Sequence, residues 1–320
     1  MYILGISNGY TATATLIKDG RVVASASEER FNGIKNYNGF PKYAISWCLR
    51  FAGITGKNLD IVTTPYRYRP PIHAPLEQTE KFLSLSFLVE ASRLFNIPRT
   101  MFRQLRLRFP ILRPFGIVAY RIVAYGIGKY YTYKHRQFIA NFLGTPVRNV
   151  VAYDHHLSHA AASYYASPFN RQKALVFTLD AEGDNYCASI SIFDKEKIRV
   201  LARTPREYSP GYIYGSVTKF LGMKPHEHEY KVMGLAPYAK AEDVDRIYQR
   251  IKDCLLLDPR NPLTFWMPVN AQDFGNYLKE KLFGVRFDHL AGAFQKLIEE
   301  RVVEWVQSGI KVTGIDTVVV

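Results

Sequence analysis

The chain opens with the stretch MYILGISNGYTATATLIKDGRVVASASEERF, residues 1–31, which predicts three short strands. The strands are expected at Tyr2–Ile6, Thr13–Ile17 and Arg21–Ala26, with Asp19-Gly20 as the hairpin turn between the last two. Small residues separate the first two strands. A turn built from such residues can direct backbone amides at an anion. We therefore interpret Ser7, Asn8 and Gly9 as a candidate phosphate-binding turn.

A second pattern of strand, turn and strand lies in the middle of the chain. Apolar runs at Ala174–Leu179 and Tyr186–Phe193 flank the sequence DAEGD, residues 180–184. Asp180 stands where the first of these strands is expected to end, and its carboxylate suits magnesium or the orientation of water. The turn around Gly183 is a second candidate for holding phosphate. The alternative for both patterns is a pair of ordinary hairpins.

Two histidines spaced four residues apart are candidate metal ligands. The sequence from Asp154 predicts a helix, because Asp154 suits the N-cap position, an alanine-rich run follows, and Pro168 marks the end. His155 and His159 would leave the same helix face, with Cβ atoms about 5–6 Å apart. At that spacing both imidazoles can reach one ion. The alternative on local chemistry alone is a pair of solvated or hydrogen-bonded histidines.

Five ordered motifs resemble the O-carbamoyltransferases of nodulation-factor and antibiotic biosynthesis. They are the run from Ile3 to Phe31, Gly39-Phe40-Pro41, Asp154–Ala161, Leu179–Asp184 and Glu229–Tyr238, and the weaker Leu290–Gln295 extends the likeness. The resemblance implies an α/β fold of the actin and hexokinase-like superfamily, with ribonuclease H-like lobes, related to the tRNA threonylcarbamoyl-transferring proteins. It also implies a YrdC-like domain that makes carbamoyladenylate from carbamoyl phosphate and ATP, while the first domain passes the carbamoyl group to a hydroxyl.

The resemblance also implies roles for individual residues. It makes His155 and His159 ligands of iron or another divalent metal, with His156 beside them for orientation or proton transfer. Lys35 and Lys231 would neutralise an anionic intermediate or leaving group. Asp180, Gly183 and the turn Ser7–Gly9 would contribute to the nucleotide and metal environment. The acceptor is expected to be a small molecule with a hydroxyl group, such as a sugar or another natural product.

Parts of the family pattern are expected outside residues 1–320. They are the family's third protein ligand, an aspartate, a glycine-rich nucleotide-binding turn, and the YrdC-like domain, which would act in cis or in trans. We therefore expect an N-terminal carbamoyltransferase domain over 1–320 with a truncated second lobe. The first lobe would extend to about Thr64, a basic helical insertion would occupy 65–148, and a second series of strands would begin at Asn149 and include Thr317–Val320.

Two motifs between the second turn and the end of the match have competing interpretations. Ser209–Gly215 resembles a family loop near the transferred group, and otherwise predicts a glycine turn into a helix at Ser216–Leu221. His226 and His228 alternate with glutamates. Alternating residues on a loop usually face solvent, so metal binding is the less favoured interpretation of this run.

The net charge of +14 is concentrated in one segment. Between Tyr66 and Arg148 stand 14 Lys and Arg against 3 Glu and no Asp. A solvated surface is one interpretation, and an anionic partner, either a membrane surface or an anionic acceptor, is the other. Nucleic-acid binding is not favoured, because the tyrosines at 130–133 are expected to pack. A membrane span is not expected, because Arg113, Pro114 and Arg121 interrupt the apolar run.

Three separated cysteines without a CxxC pair favour a reducing compartment. No charged leader followed by an apolar segment is evident at residue 1, so we expect a cytoplasmic protein, peripheral at the inner membrane surface if the basic segment binds lipid. Two other function classes stay open. A superfamily kinase would use the phosphate turns but would not need the HxxxH pair, and a non-catalytic fragment or binding module would need neither.

Overall fold

The computed structural model describes residues 1–67, 129–130 and 132–320. These residues divide into two compact units, Met1–His155 and His156–Val320. Each unit has its own sheet and its own apolar core. The expectations for residues 68–128, which cover most of the basic helical insertion, lie outside the described residues.

A five-stranded sheet organises the first unit. Its elements are β1 (Tyr2–Ser7), β2 (Thr13–Lys18), β3 (Arg21–Ser27), α1 (Glu29–Asn32), α2 (Lys42–Phe51), β4 (Ile61–Thr64), a helical segment at 132–143 and β5 (Val150–Ala152). The strand order is β3-β2-β1-β4-β5, with β2 antiparallel to both neighbours and β4 and β5 parallel to β1. The three predicted strands are confirmed. Asp19 and Gly20 form the predicted turn, both with positive φ.

A distant carboxylate caps helix α2. The helix starts after Pro41, whose side chain cannot accept a hydrogen bond, so the N–H groups of the first turn need another partner. Glu28, which is 1% exposed, accepts from the backbone N–H of Tyr43 at 3.0 Å and of Ala44 at 2.8 Å. A carboxylate at this end of a helix is also stabilised by the helix dipole. Glu28 thereby fixes α2 against the sheet.

The same unit contains a close approach that only glycine permits. A Cβ atom on Gly56 would lie 1.9 Å from the carbonyl oxygen of Leu143, at the end of the helical segment 132–143. Ile139 and Leu143 of this segment are buried in the core with Leu4 and Ile45. Gly56 therefore lets the segment pack at its observed depth.

A four-stranded sheet organises the second unit, which begins within α3 (His155–Ala166). The further elements are β6 (Ala174–Gly183), β7 (Tyr186–Asp194), β8 (Lys197–Pro205), α4 (Pro210–Phe220), α5 (Glu229–Leu235), α6 (Ala241–Ile251), β9 (Leu256–Asp258), β10 (Asn261–Trp266), α7 (Phe274–Leu282), α8 (Phe287–Thr313) and β11 (Val318–Val319). The sheet order is β11-β6-β7-β8, with β11 parallel to β6 and the other pairs antiparallel. Strands β9 and β10 form a separate pair.

The long helix α8 packs across the core of the second unit. Trp305 is 1% exposed, and its ring lies 5.0 Å from the ring of Phe177 and 4.9 Å from that of Phe265, measured between centroids. Its indole N–H donates to the carbonyl of Leu263 at 2.8 Å, which satisfies the one polar group of the side chain. Gly314, with φ 66°, ends the helix in the left-handed conformation.

Both sheets share the same opening order. In each, three consecutive antiparallel strands are followed by a strand that pairs in parallel with the first, which gives 3-2-1-4 in the second unit and 3-2-1-4-5 in the first. This is the order of ribonuclease H-like lobes. The predicted α/β fold class is therefore confirmed. Among the described residues, no helix is both long enough and apolar enough to cross a membrane.

Three element boundaries differ from the expectations. Strand β5 pairs with β4 in the first sheet, so the second unit begins at His156 and not at Asn149. The helix predicted at Ser216 begins at Pro210, because Ser209 is its N-cap and proline is favoured in the first helical turn. Strand β6 continues through Gly183, so Asp180 lies within the strand and not at its end.

Candidate metal centre

Helix α3 presents the two histidines four residues apart, as predicted. It begins at His155, directly after Asp154, and ends at Ala166, two residues before Pro168. His155 is 6% exposed, whereas the His159 side chain is 54% exposed. The pair therefore joins a buried imidazole to one that faces solvent.

The surroundings of His155 fix which ring nitrogen carries its proton. Its Nδ1 lies 3.2 Å from the carbonyl oxygen of Pro65, and a carbonyl can only accept. Nδ1 is therefore the donor, and the lone pair of the neutral ring resides on Nε2. Tyr66 stacks on the ring at 4.9 Å between centroids. An Nδ1–H bond to a carbonyl is the usual support of a histidine that binds metal through Nε2.

Asp180 lies beside these histidines because strand β6 contains extra residues. Leu179 pairs with Ala188, and Gly183 pairs with Tyr186. The three residues 180–182 of β6 therefore lie opposite a single residue of β7, Cys187. This bulge interrupts the regular alternation of the strand. Bulges re-aim side chains in this way and are common beside functional sites.

The side chains of His155, His159 and Asp180 form a group with metal-binding geometry. Their donor atoms lie within 4.8 Å of one another, and no other such group occurs among the described residues. The Oδ2 atom of Asp180 is 3.7 Å from Nε2 of His159, and Oδ1 accepts from the backbone N–H of Ala181 at 2.6 Å. Two imidazoles and a carboxylate fit iron(II) or zinc, and the exposed side leaves room for further ligands.

His156 occupies a different environment from its two neighbours. It is 1% exposed, its Nε2 donates to the carbonyl of Tyr186 at 3.0 Å, and its Nδ1 accepts from the Thr178 hydroxyl at 2.8 Å. Thr178 in turn lies 2.8 Å from the hydroxyl of Ser189. Both ring nitrogens thus bind the sheet. Of the two predicted roles, this placement favours orientation of α3 over proton transfer.

The N-terminus of α4 supports the bulge from the other side. Ser209 is fully buried, donates its hydroxyl to the carbonyl of Ala181 at 2.8 Å, and accepts from the N–H of Tyr212 at 3.1 Å. Glu182 accepts from Arg206 at 2.5 Å and from the hydroxyl of Tyr212. Burial, followed by the charge of Glu182, raises the pKa of Tyr212 above its usual value. Tyr212 therefore remains a neutral donor to Glu182.

The sequence analysis identified Ser209–Gly215 by resemblance, but it predicted neither the helix start at Pro210 nor the contacts of Glu182 and Arg206. Ser209 followed by Pro210 was a visible signal for a helix N-terminus, and it could have been recognised. Glu182 and Arg206 carry no local signal, because they lie 24 positions apart and meet only through the pairing of the strands.

None of the remaining predicted site residues belongs to the metal group. Ser7 ends β1, and Gly9 forms an isolated bridge with Gly39. Asn8 is buried, its Nδ2 atom contacts the ring of His135, and its Oδ1 atom has no hydrogen-bond partner among the described residues. Gly183 is the last residue of β6.

The two predicted lysines are exposed. Lys35 lies in the first unit after α1. Lys231 lies on α5, with its Nζ 5.9 Å from the ring centroid of Tyr230. Neither lysine belongs to the metal group. His226 and His228 likewise lie outside it.

One family model and several known proteins match this chain. The model of the carbamoyltransferase N-terminus matches residues 121–308. Nodulation protein NolNO of Sinorhizobium fredii is 30% identical over 229 residues, which are 72% of this chain and 28% of NolNO. The uncharacterized protein sll1178 of Synechocystis is 29% identical over 255 residues, which are 79% of this chain and 37% of that protein. The matched part of the chain thus spans about a third of the length of these relatives.

Solved structures that align with this chain include YeaZ from Pseudomonas aeruginosa and a putative N-acetylmannosamine kinase from Listeria monocytogenes. YeaZ aligns with a TM-score of 0.31 and 11% identity over 65% of this chain and 70% of its own. The kinase aligns with a TM-score of 0.35 and 10% identity over 94% of this chain and 99% of its own.

Proposed function

Because the chain belongs to the carbamoyltransferase N-terminus family, we propose that it takes part in moving a carbamoyl group from carbamoyladenylate to an acceptor hydroxyl. A metal ion, which we propose to be iron, would be held by His155, His159 and Asp180, together with the aspartate that the family resemblance places outside residues 1–320. The observation that carries the proposal is the convergence of these three side chains, whose donor atoms lie within 4.8 Å of one another. A kinase or a simple binding module would have no need for such a group.

The proposed reaction is an acyl transfer. The acceptor oxygen attacks the carbamoyl carbon, a new C–O bond forms, and the bond from that carbon to the adenylate phosphate oxygen breaks. AMP leaves with the bonding electron pair, and the hydroxyl proton passes to a base. A bound metal ion would supply a Lewis acid for the charge that develops on the carbonyl oxygen.

The chain's own residues would place the reactants and balance charge. Ser209 binds the carbonyl of Ala181, and the backbone N–H of Ala181 donates to the carboxylate of Asp180, so this carboxylate is positioned before any ligand binds. His156 fixes α3, and hence both histidine ligands, to the sheet. We assign Lys35 and Lys231 to the anionic leaving group, and the turns at Ser7–Gly9 and at Gly183 to phosphate, as the family resemblance implies.

We also propose that a YrdC-like domain, in cis or in trans, supplies carbamoyladenylate. The test is an assay of the protein with ATP, carbamoyl phosphate and a panel of hydroxylated acceptors, with and without a YrdC-like domain. Mass spectrometry would detect an acceptor heavier by one carbamoyl group. Phosphorylation of the acceptor by ATP alone would show that the kinase alternative is correct.

A further inference from the structure

Helix α2 of the first unit exposes aromatic side chains to solvent. One face of this helix is buried against the sheet and includes Ile45 and Cys48. Tyr43, Trp47 and Phe51 follow one another at intervals of four residues, so they share a second face, which points outward. The outer face of a surface helix normally carries polar residues. Here Tyr43 is 48% exposed and Phe51 is 63% exposed.

The exposed rings form one continuous patch. Trp47 stacks on Phe51 with 5.3 Å between ring centroids, and Phe31 of α1 lies 6.3 Å from Trp47. We call Phe31, Tyr43, Trp47 and Phe51 the aromatic face. Single exposed apolar side chains are ordinary, whereas contiguous apolar patches mark surfaces that bind a protein or a membrane. The aromatic face is therefore a candidate docking surface.

The charges around the aromatic face are positive. Three of its four residues directly follow a basic residue in the sequence, namely Arg30, Lys42 or Arg50. Helix α2 itself contains no Asp or Glu. The two nearest carboxylates in the sequence accept backbone N–H groups, Glu28 from α2 and Glu29 from Asn36 at 2.8 Å. This surface consequently suits an anionic partner.

The positive charge extends over the whole unit that carries the aromatic face. Residues 1–155 contain 21 Lys and Arg against 8 Asp and Glu, whereas residues 156–320 contain 21 against 20. Almost all of the net charge of +14 thus belongs to the first unit. An excess spread over a unit of this size favours an extended anionic surface over a small acidic patch.

From this arrangement we propose that the aromatic face of α2 docks on a membrane that contains acidic lipids. Trp and Tyr are enriched at membrane interfaces, and basic residues beside aromatic ones are typical of helices that lie in the plane of the interface. Basic residues are also attracted to acidic headgroups. A second copy of the chain is a poorer occupant, because symmetric pairing would bring Arg30, Lys42 and Arg50 close to their own counterparts.

The test is sedimentation of the full chain with vesicles of phosphatidylcholine and phosphatidylserine in equal parts, and with vesicles of phosphatidylcholine alone. We expect binding to the acidic vesicles only. Phe51→Ser and Tyr43→Ser should each weaken this binding about fivefold or more, because each removes a ring from the interface. Phe283→Ser is the matched control, since Phe283 is 86% exposed but lies in the second unit. Melting temperatures should match across the variants, because all three rings are exposed.

Tryptophan fluorescence shows whether the aromatic face itself enters the membrane. When the parent protein binds acidic vesicles, its emission should shift to shorter wavelength, because the partly buried Trp47 leaves water. Trp47→Phe keeps an aromatic ring at this position, so it should keep most of the binding but lose the shift. Trp305 is 1% exposed and should contribute a constant background.

Several results would overturn the proposal. They are a parent protein that ignores acidic vesicles, equal binding by Phe51→Ser and the parent, and an emission shift that persists in Trp47→Phe. Without vesicle binding, parent dimers that Phe51→Ser dissociates would assign the aromatic face to a second copy. Retention on immobilised polyglutamate that Phe51→Ser weakens, again without vesicle binding, would assign it to an acidic protein surface, in cis or in trans.

Discussion

At the scale of single residues, the tautomer of His155 connects the backbone to the proposed chemistry. The carbonyl of Pro65 takes the Nδ1 proton, so the neutral ring presents its lone pair at Nε2 without any rearrangement. The exposed His159 and the carboxylate of Asp180 then complete a set of donors with mixed exposure. In this set His155 is a buried donor with a fixed position, whereas His159 lies on the side that small molecules can reach.

Removal of any one donor should abolish metal retention. We expect His155→Ala, His159→Ala and Asp180→Ala each to lose most of the iron found in the parent protein, because each removes one of the three donors that the structure brings together. Elemental analysis of protein purified under identical conditions gives the measurement. His289→Ala is the control, since His289 lies in the same unit but outside the metal group. Equal iron in all four variants would refute the assignment.

His156 should behave differently. His156→Ala removes two buried hydrogen bonds and a buried ring, so we expect the free energy of unfolding to fall by about 2–3 kcal/mol. The iron bound per folded molecule should fall less than in His155→Ala. Chemical denaturation and elemental analysis give both quantities. A variant with unchanged stability but lost turnover would instead support proton transfer by His156.

At the scale of elements, local patterns predicted the strands and helices but not where they deviate from regularity. The apolar run Tyr2–Ile6 and the spacing of His155 and His159 are local, and these predictions are confirmed in the structure. The bulge at 180–182 depends on which residue of β7 faces which residue of β6, and strand register is set by pairing along the whole ladder. Glu28 likewise caps a helix that starts 14 positions later.

The contact between Gly56 and the helical segment 132–143 provides a test of packing. We expect Gly56→Ala to destabilise the protein by about 2–3 kcal/mol, because the new methyl group meets a carbonyl that cannot move without its helix. Gly5→Ala is the control in the same unit, since its Cβ finds only ordinary contacts at 3.6 Å and beyond. Thermal unfolding of the two variants would compare them directly. Equal melting temperatures would contradict the observed depth of packing.

At the scale of the whole molecule, two units with the same opening strand order occur without a visible sequence repeat. A strand order depends on where apolar alternation and turns fall, and many sequences satisfy that requirement. The helix that follows the first sheet's third strand is the four-residue α1, whereas α4 of the second unit has eleven residues. Differences of this size obscure any repeat in the sequence, so the relation between the two units is visible only in their strand order.

The uneven charge of the chain makes a further prediction at this scale. If the excess of Lys and Arg between Tyr66 and Arg148 binds an anionic surface, the protein should sediment with vesicles rich in phosphatidylserine at low salt. Binding should disappear near 1 M salt, where the Debye length falls to about 3 Å from about 10 Å at 0.1 M. Neutral phosphatidylcholine vesicles are the control. Failure to bind acidic vesicles at low salt would leave the segment as solvated surface or as a site for a soluble partner.

The bulge of β6 also has a consequence for how this family can change by insertion and deletion. In this bulge three residues of β6 lie opposite one residue of β7. Removing two of the three would restore regular pairing with β7 between Leu179 and Gly183. Side chains alternate between the two faces of a strand. Because the number of deleted residues is even, all the remaining side chains of the strand would stay on their present faces. A chain that lost Asp180-Ala181 in this way would be expected to fold, but it would lack the carboxylate of the metal group. Among homologues, the length of this strand is therefore as informative as the identity of its residues about whether the site is retained.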